Sequence, residues 1–135
     1  MENIDAFFKA CEEGKGWPEC KQYCAEDATF HCDVLPMKTL SEYTDWMKGL
    51  VDGIMPNAKY HLYSVTHGPD HSIYCAQFEG THSLPGGPIA PSDPPKSTKS
   101  DYVYMIWFNG EHKVVKMHKI WDQLTAFKQL GWPIQ

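Results

Sequence analysis

The sequence contains no arginine, and all twelve of its basic residues are lysines. The planar guanidinium of arginine is the usual group for holding phosphate or carboxylate with two parallel hydrogen bonds. Together with a formal net charge of −5, this absence argues against nucleic acid as a partner and against a phosphorylated substrate. A small apolar or aromatic organic ligand fits the composition better.

Long apolar runs and an export signal are also absent from the sequence. No stretch approaches the roughly 18 apolar residues of a membrane helix, so no association with a membrane is expected. The N-terminus starts acidic, whereas a secretory signal starts basic and continues into an apolar segment. These features predict a cytoplasmic protein, and a length of 135 residues predicts one domain over residues 1–135.

The five cysteines form an odd set, which is typical of reduced and mostly buried thiols in the absence of an export signal. Cys20 and Cys24, followed by His31 and Cys32, could belong to a zinc site. Structural zinc sites usually have a second ligand pair at short, regular spacing, and the sequence offers none. The residues therefore predict no metal site.

The spacing of apolar residues predicts an α+β domain. Helical spacing predicts a helix near Asn3–Glu13, a short one after Pro18, a long one over Thr39–Ile54 behind a capping box, and a C-terminal helix. Alternation predicts strands at Asp27–Cys32, Lys59–Thr66, Ser72–His82 and Asp101–Phe108, and one more after Asn109-Gly110. A curved, mostly antiparallel sheet wrapped round the long helix would leave an apolar pocket between them.

The segment from Phe108 to Gly131 is the most informative part of the chain. Asn109-Gly110 between apolar runs predicts a hairpin in which both turn residues take positive φ. Asp122 follows at a strand-to-helix junction, where a carboxylate is held rigidly and can point into a cavity. Asp is also a favoured N-cap residue, so Asp122 serves as catalytic acid/base, as helix cap, or as both. His118 either faces the same cavity or lies in solvent.

Other residues are candidates for binding because core and cavity wall coincide where a curved sheet wraps a helix. The predicted substrate-binding residues are Trp17, Phe30, Cys32, Trp46, Leu50, Met117 and Trp121. The segment Leu84–Ser100 has five of the ten prolines and no periodicity, so it predicts a long, mobile loop at the cavity mouth.

The order of these elements resembles the nuclear transport factor 2-like superfamily, a cone of curved sheet closed by helices. Three segments resemble its SnoaL-like polyketide cyclase branch: Glu79-Gly-Thr-His82 before the Pro/Gly-rich loop, Lys113-Val-Val-Lys116 continuing to Trp121-Asp122, and Lys128-Gln-Leu-Gly131. The resemblance implies an aldol-type ring closure of a polyketide ester without metal or cofactor. It places the acid/base aspartate at Asp122 and adds His82 as a candidate catalytic residue.

The segment around Asn109-Gly110 is also similar to the steroid isomerases on this fold. That likeness would put their oxyanion-binding acid near Tyr104 and their general base near Cys32. A tyrosine can donate a hydrogen bond to a developing enolate, so Tyr104 is a further catalytic candidate.

Three functions are compatible with the sequence. The first is a cofactor-independent enzyme that acts on a small aromatic or polyketide-like carbonyl compound by enolisation, as a cyclase, isomerase or lyase. The second is a non-catalytic carrier that binds a small ligand in the same pocket. The third is a dimerisation module. A homodimer through the open sheet face is expected under any of the three.

Overall fold

The computed structural model describes residues 2–134, which contain four α-helices and five β-strands. The helices are Glu2–Glu12 (α1), Trp17–Cys20 (α2), Leu40–Gly53 (α3) and Gln123–Leu130 (α4), and a 3-10 turn spans Lys21–Tyr23. The strands are Cys24–His31 (β1), Lys59–His67 (β2), His71–Thr81 (β3), Ser97–Phe108 (β4) and Val114–Trp121 (β5). The predicted α+β class is confirmed.

The strands form one sheet in the order β1-β5-β4-β3-β2. β1 runs parallel to β5, and the other three pairs are antiparallel, so the sheet is mostly antiparallel as predicted. The register shifts between Leu62 and Ser64 in β2 and between Trp107 and Phe108 in β4. Such irregularities increase the local twist and bend a strand, which helps the sheet to wrap round α3.

α3 begins at the predicted capping box. The Thr39 side chain accepts a hydrogen bond from the Glu42 backbone N–H at 3.2 Å, and the Glu42 carboxylate accepts one from the Thr39 backbone N–H at 3.1 Å. This reciprocal pair satisfies donors that a helix N-terminus leaves free. α3 has 14 residues, and within residues 2–134 no helix is both long and apolar enough to cross a membrane.

The predicted hairpin between β4 and β5 exists, but its turn differs from the prediction. The connection covers residues 109–113, and the non-glycine residue with positive φ is His112 (φ 58°), while Gly110 has no positive φ. The Asn109 side-chain oxygen accepts from the backbone N–H groups of Glu111 and Lys113, at 3.0 Å each. This Asn109 side chain therefore organises a longer turn in which the left-handed position falls on His112.

β4 begins at Ser97, four positions before the predicted start at Asp101, so the loop before it is shorter than predicted. Thr98 and Ser100 are buried, and Ser97–Ser100 pairs with Phe78–Thr81 of β3. The prediction missed this part of β4 because its inward-facing residues are small and polar, and polar alternation carries no apolar period.

Candidate functional site

A cavity of about 890 Å³ lies between α3 and the inner face of the sheet, as predicted. α3 lines it with Trp46, Met47 and Leu50, Ile54 follows directly after α3, and the strands add Phe78, Thr98, Tyr102, Lys119 and Trp121. Ala126, Phe127 and Leu130 of α4 and Trp132 beyond it complete the apolar wall. Cavities of this size with mostly apolar walls and a few polar groups suit small organic ligands.

Two ionisable side chains are buried at this cavity, Glu12 at the end of α1 and Lys119 in β5. Each is only 6% exposed. Glu12 follows Ile4 and Phe8 at intervals of four on the buried face of α1. Lys119 lies two residues after buried Met117 on the inward face of β5. Among residues 2–134 they form no direct ion pair with each other, so each is a buried charge whose counter-ion is not in contact.

The two oxygens of the Glu12 carboxylate have different surroundings. Tyr102 donates its hydroxyl to Oε2 at 2.7 Å, and this bond fixes the orientation of the carboxylate. Oε1 is buried and has no hydrogen-bond partner among the described residues. A buried acceptor without a partner costs about 1–3 kcal/mol, and more when it is charged. Oε1 is therefore the atom that gains most from a proton or from a donor on a bound ligand.

Lys119 is surrounded by aromatic rings. Its Nζ donates to the Tyr43 hydroxyl at 3.0 Å, and Tyr43 in turn is hydrogen-bonded to the Tyr104 hydroxyl. Five ring centroids lie 4.6–5.8 Å from Nζ, those of Trp121, Tyr43, Tyr102, Trp46 and Tyr104. A desolvated cation–π contact is worth about 2 kcal/mol or more, which offsets part of the several kcal/mol that removing an ammonium from water costs.

Burial shifts the pKa values of both groups toward their neutral forms. It raises the pKa of Glu12 above its ordinary 4.5, and the positive charge of Lys119 opposes this rise. It lowers the pKa of Lys119 below its ordinary 10.5, and the negative charge of Glu12 opposes this fall. The two pKa values therefore approach each other, a situation that suits groups exchanging protons with a substrate.

The predicted loop does border the cavity. Gly86, Gly87 and Pro88 line it. The loop is attached to the end of α3, where Gly86 N–H donates to Gly53 O at 2.9 Å and Leu84 N–H donates to Ile54 O at 3.1 Å. These two bonds hold the loop over the C-terminal end of α3. Its mobility stays a prediction.

The structure places the predicted binding residues in two groups. Trp46, Leu50 and Trp121 line the cavity as predicted. The other four predicted binding residues do not line the cavity. Phe30, Cys32 and Met117 lie in the core, and Trp17 packs against it.

Tyr104, predicted to face the cavity, is also absent from its lining. Its ring is covered by Phe8 of α1 and Tyr43 of α3, at centroid distances of 5.7 and 6.0 Å. The helices close this end of the cone over Tyr104, so its hydroxyl reaches Tyr43 and no open space. Tyr102, two residues earlier on the same face of β4, lines the cavity instead.

The two predicted histidines lie outside the cavity lining. His82 is 2% exposed; it accepts a hydrogen bond on Nδ1 from Trp132 Nε1 at 3.1 Å, and Nε2 has no partner among the described residues. Gly87 and Trp132, which do line the cavity, pack against it. His118 is on the other face of β5 from Lys119, and its ring contacts that of His31 at 4.8 Å.

Asp122 does not point into the cavity, so its predicted orientation is wrong. Its side chain is exposed, and Oδ1 accepts a hydrogen bond from the Thr125 backbone N–H at 3.2 Å as N-cap of α4. Alternation along β5 explains the difference, because Lys119 and Trp121 face inward and the position after them faces outward. The structure assigns Asp122 the capping role that the sequence left as its alternative.

Glu12 and Lys119 were missed, although each leaves a signal in the sequence. If Met117 and Trp121 face the cavity, period-two alternation places Lys119 between them on the same face. Glu12 falls on the apolar stripe of α1 at the same four-residue interval as Ile4 and Phe8. A charged residue inside an apolar stripe is a departure from pattern that often marks a site.

Metal-binding clusters do not occur in the described part of the chain. Among residues 2–134, no group of three or more His, Cys, Asp or Glu side chains could hold a metal ion. Cys20, Cys24 and Cys32 are buried free thiols.

Comparison with solved structures defines the fold. No family model matches the sequence, and no curated protein matches it. A candidate SnoaL-like polyketide cyclase from Jannaschia sp. CCS1 superposes with a TM-score of 0.76 at 16% identity, over 98% of this chain and 93% of its own. IdmH, a candidate polyketide cyclase from Streptomyces antibioticus, gives 0.75 at 17% identity, over 96% of each chain.

A third similar structure is a hypothetical protein from Catenulispora acidiphila DSM 44928, which has a ketosteroid isomerase-like fold and was solved with trimethylamine. Its TM-score is 0.72 at 16% identity, over 98% of this chain and 94% of its own. At such low identities the likeness establishes the fold alone. The chain has the nuclear transport factor 2-like fold that its sequence resembles.

Capping by Asp122 can be separated from catalysis with two substitutions. Asp122→Asn should leave the free energy of unfolding nearly unchanged, because Asn caps helices as well as Asp does. Asp122→Ala should lower it by about 1 kcal/mol, because the Thr125 N–H loses its acceptor. Urea denaturation measures both. Equal losses in the two variants would contradict the capping assignment.

The buried pair predicts a characteristic dependence of stability on pH. Lys119→Met removes the charge that opposes the rise of the Glu12 pKa, so this pKa rises further. A carboxyl with a raised folded pKa contributes stability below its unfolded pKa and loses it as the pH rises through the folded pKa. In the wild type, the lowered pKa of Lys119 makes the free energy of unfolding rise with pH, because the unfolded state keeps the lysine proton to a higher pH than the folded state does. The Lys119→Met variant lacks this rise. Above about pH 4.5, its unfolding free energy should therefore fall more steeply than that of the wild type.

Denaturant titrations at several pH values check this slope. Lys116→Met, at an exposed position of the same strand, is the matched control and should follow the wild-type curve. Adding Glu12→Gln to Lys119→Met should remove the steep fall. A Lys119→Met variant with the wild-type slope would show that the two charges do not interact.

Proposed function

We propose that this protein is a cofactor-independent enzyme that enolises a small aromatic or polyketide-like carbonyl compound, with Glu12 as the acid/base. The single observation that carries this proposal is the buried Glu12 carboxylate at an aromatic-walled cavity. One of its oxygens is fixed by Tyr102, and the other has no hydrogen-bond partner within residues 2–134. Burial also raises its pKa, and a carboxylate of raised pKa is a stronger base.

Proton abstraction would start from the ionised carboxylate. Oε1 takes a proton from the carbon beside the substrate carbonyl, and the electron pair moves onto the carbonyl oxygen. The Lys119 ammonium, which lines the same cavity, is available to stabilise the resulting enolate oxygen by charge and hydrogen bonding. Because Glu12 and Lys119 are both buried, that stabilisation is stronger than it would be in solution.

An enolate formed in this way has three ordinary fates. It attacks a second carbonyl carbon and closes a ring, it takes the proton back at another carbon, or it expels a β-hydroxyl group. These outcomes correspond to cyclase, isomerase and lyase activity. The naming of two similar structures as candidate polyketide cyclases favours ring closure. The aromatic wall of Trp46, Trp121 and Trp132 favours a flat, unsaturated substrate.

Glu12→Gln tests this proposal because Gln keeps the shape and the acceptor for Tyr102 but cannot take the proton. The probe is 2-tetralone, a small aromatic ketone, and the readout is exchange of its α-protons for deuterium by NMR. We expect the variant to lose the exchange by about 10² to 10⁴-fold, the usual contribution of a general base. Binding, followed by quenching of cavity tryptophan fluorescence, should persist.

Glu13→Gln is the matched control, since Glu13 is adjacent to Glu12 but exposed. It should exchange the probe at the wild-type rate. Binding of 2-tetralone without exchange in the wild type would instead favour a non-catalytic carrier. Equal exchange by the wild type and Glu12→Gln would remove Glu12 as the base.

A further inference from the structure

Lys119 differs in its surroundings from a lysine that serves only packing. Such a lysine buries its carbon chain and keeps the ammonium in water. Here the whole side chain is buried, and Nζ ends among five aromatic rings at the cavity. Its hydrogen bond goes to the neutral Tyr43 hydroxyl at 3.0 Å, and no carboxylate among residues 2–134 forms an ion pair with it. Nothing in contact with Nζ therefore requires it to be an ammonium.

We propose that Lys119 is a nucleophile that forms an imine with the carbonyl carbon of an aromatic ketone, aldehyde or 1,3-diketone bound in the cavity. The inference rests on the proposed function in one respect, namely that carbonyl compounds enter this cavity. It adds a covalent step that enolisation by Glu12 does not need. Glu12 and Lys119 take part in both reactions. Enolisation starts from the Glu12 carboxylate and the Lys119 ammonium, whereas imine formation starts from the Glu12 carboxylic acid and the Lys119 amine.

Desolvation of Nζ favours the free amine that nucleophilic attack requires, whereas the cation–π contacts favour the ammonium. Burial lowers the pKa of Lys119, and the carboxylate of Glu12 opposes this only in its ionised form. The other titratable groups near Nζ are the phenols of Tyr43 from α3 and of Tyr102 and Tyr104 from β4. The thiols of Cys11 and Cys32 also lie near enough for their charged forms to oppose the fall of this pKa. Burial raises the pKa of all three phenols, so they stay neutral near pH 7. A lysine desolvated in an apolar pocket is a recurrent source of nucleophilic amine.

The step balances without an oxidant, a reductant or a cofactor. The Nζ lone pair forms a bond to the carbonyl carbon, and the carbonyl π pair moves to oxygen. One proton passes from nitrogen to that oxygen, which gives a carbinolamine. Protonated Glu12 then supplies a proton to the hydroxyl, which leaves as water, and the nitrogen lone pair forms the iminium. Ionised Glu12 is left beside the cation, where it is positioned to remove an α-proton.

A 1,3-diketone makes this chemistry observable because its iminium loses the α-proton and becomes a stable, conjugated enaminone. The experiment incubates the intact protein with 1-phenyl-1,3-butanedione near pH 7. It then measures the intact mass and the new near-ultraviolet absorbance, and it maps the modified peptide. We expect one adduct per chain, with the mass of the diketone less one water, located on Lys119. An excess of 2-tetralone should slow its formation by competing for the cavity.

Two variants complete the test. Lys119→Met should abolish the adduct. Lys116→Met should form it to the wild-type extent, because Lys116 is exposed on the other face of β5, with Nζ 4.8 Å from the Trp107 ring. Peptide mapping of the wild type decides the question independently if Lys119→Met does not fold.

The outcomes separate this inference from the proposed function. Adducts spread over exposed lysines, or tryptophan quenching by the diketone without any adduct, would overturn the nucleophilic role of Lys119. Exchange of 2-tetralone that depends on Glu12 would leave the proposed function standing in that case. An adduct on Lys119 without such exchange would support the nucleophile and refute the enolising base.

Discussion

The burial of two opposite charges behind a wall of aromatic side chains is the constraint on which the rest of this structure depends. Glu12 and Lys119 come from α1 and β5, both are buried at the cavity, and among residues 2–134 they form no ion pair with each other. Because an isolated buried charge is so unfavourable, two arrangements of one proton avoid a net charge on the pair. One is carboxylate with ammonium, and the other is carboxylic acid with amine. Both arrangements have the same net charge. The aromatic rings stabilise the arrangement with the ammonium through cation–π contacts.

The fold places Glu12 and Lys119 at one end of the cavity. α1 and Tyr43 close one end of the cone over Tyr104, while Gly86–Pro88 borders the cavity elsewhere. The two buried ionisable groups are therefore gathered near the closed end, and the apolar wall from α3 and α4 extends away from them. A ligand with one carbonyl group and a flat apolar body can satisfy both regions only with its carbonyl at the closed end. This orientation follows from the placement of the two buried ionisable groups, because the Lys119 Nζ donor and the Glu12 acceptor lie together there.

Much of the fold could be predicted from the sequence because it depends on local patterns. The capping box at Thr39, the apolar stripe of α3 and the strand alternation each act over a few residues, and the structure has them. The site was harder to predict because its members are far apart in the chain. Lys119 is an ordinary strand residue until the inward faces of β4 and β5 are known to be aromatic. Glu12 can be recognised as a site residue only when α1 is known to close one end of the cone. The catalytic role of Asp122 was predicted wrongly for the opposite reason. Its place at a strand-to-helix junction is a local pattern that suggests a cavity carboxylate, but alternation along β5 turns its side chain outward.

Binding and catalysis place different demands on such a pair, and the separation of Glu12 from Lys119 bears on which of the two applies. A carrier would gain stability from a direct ion pair or from apolar replacements, because both remove unpaired buried charge. In the described part of the chain the ion pair is not made, Oε1 has no hydrogen-bond partner, and Nζ is hydrogen-bonded to a phenol. The unfavourable energy of this arrangement is relieved when a ligand supplies a proton donor to Oε1 and an acceptor or an electrophilic carbon to Nζ. A carbonyl compound with an acidic α-proton supplies both in one molecule, and this match is the physical basis of the proposed chemistry.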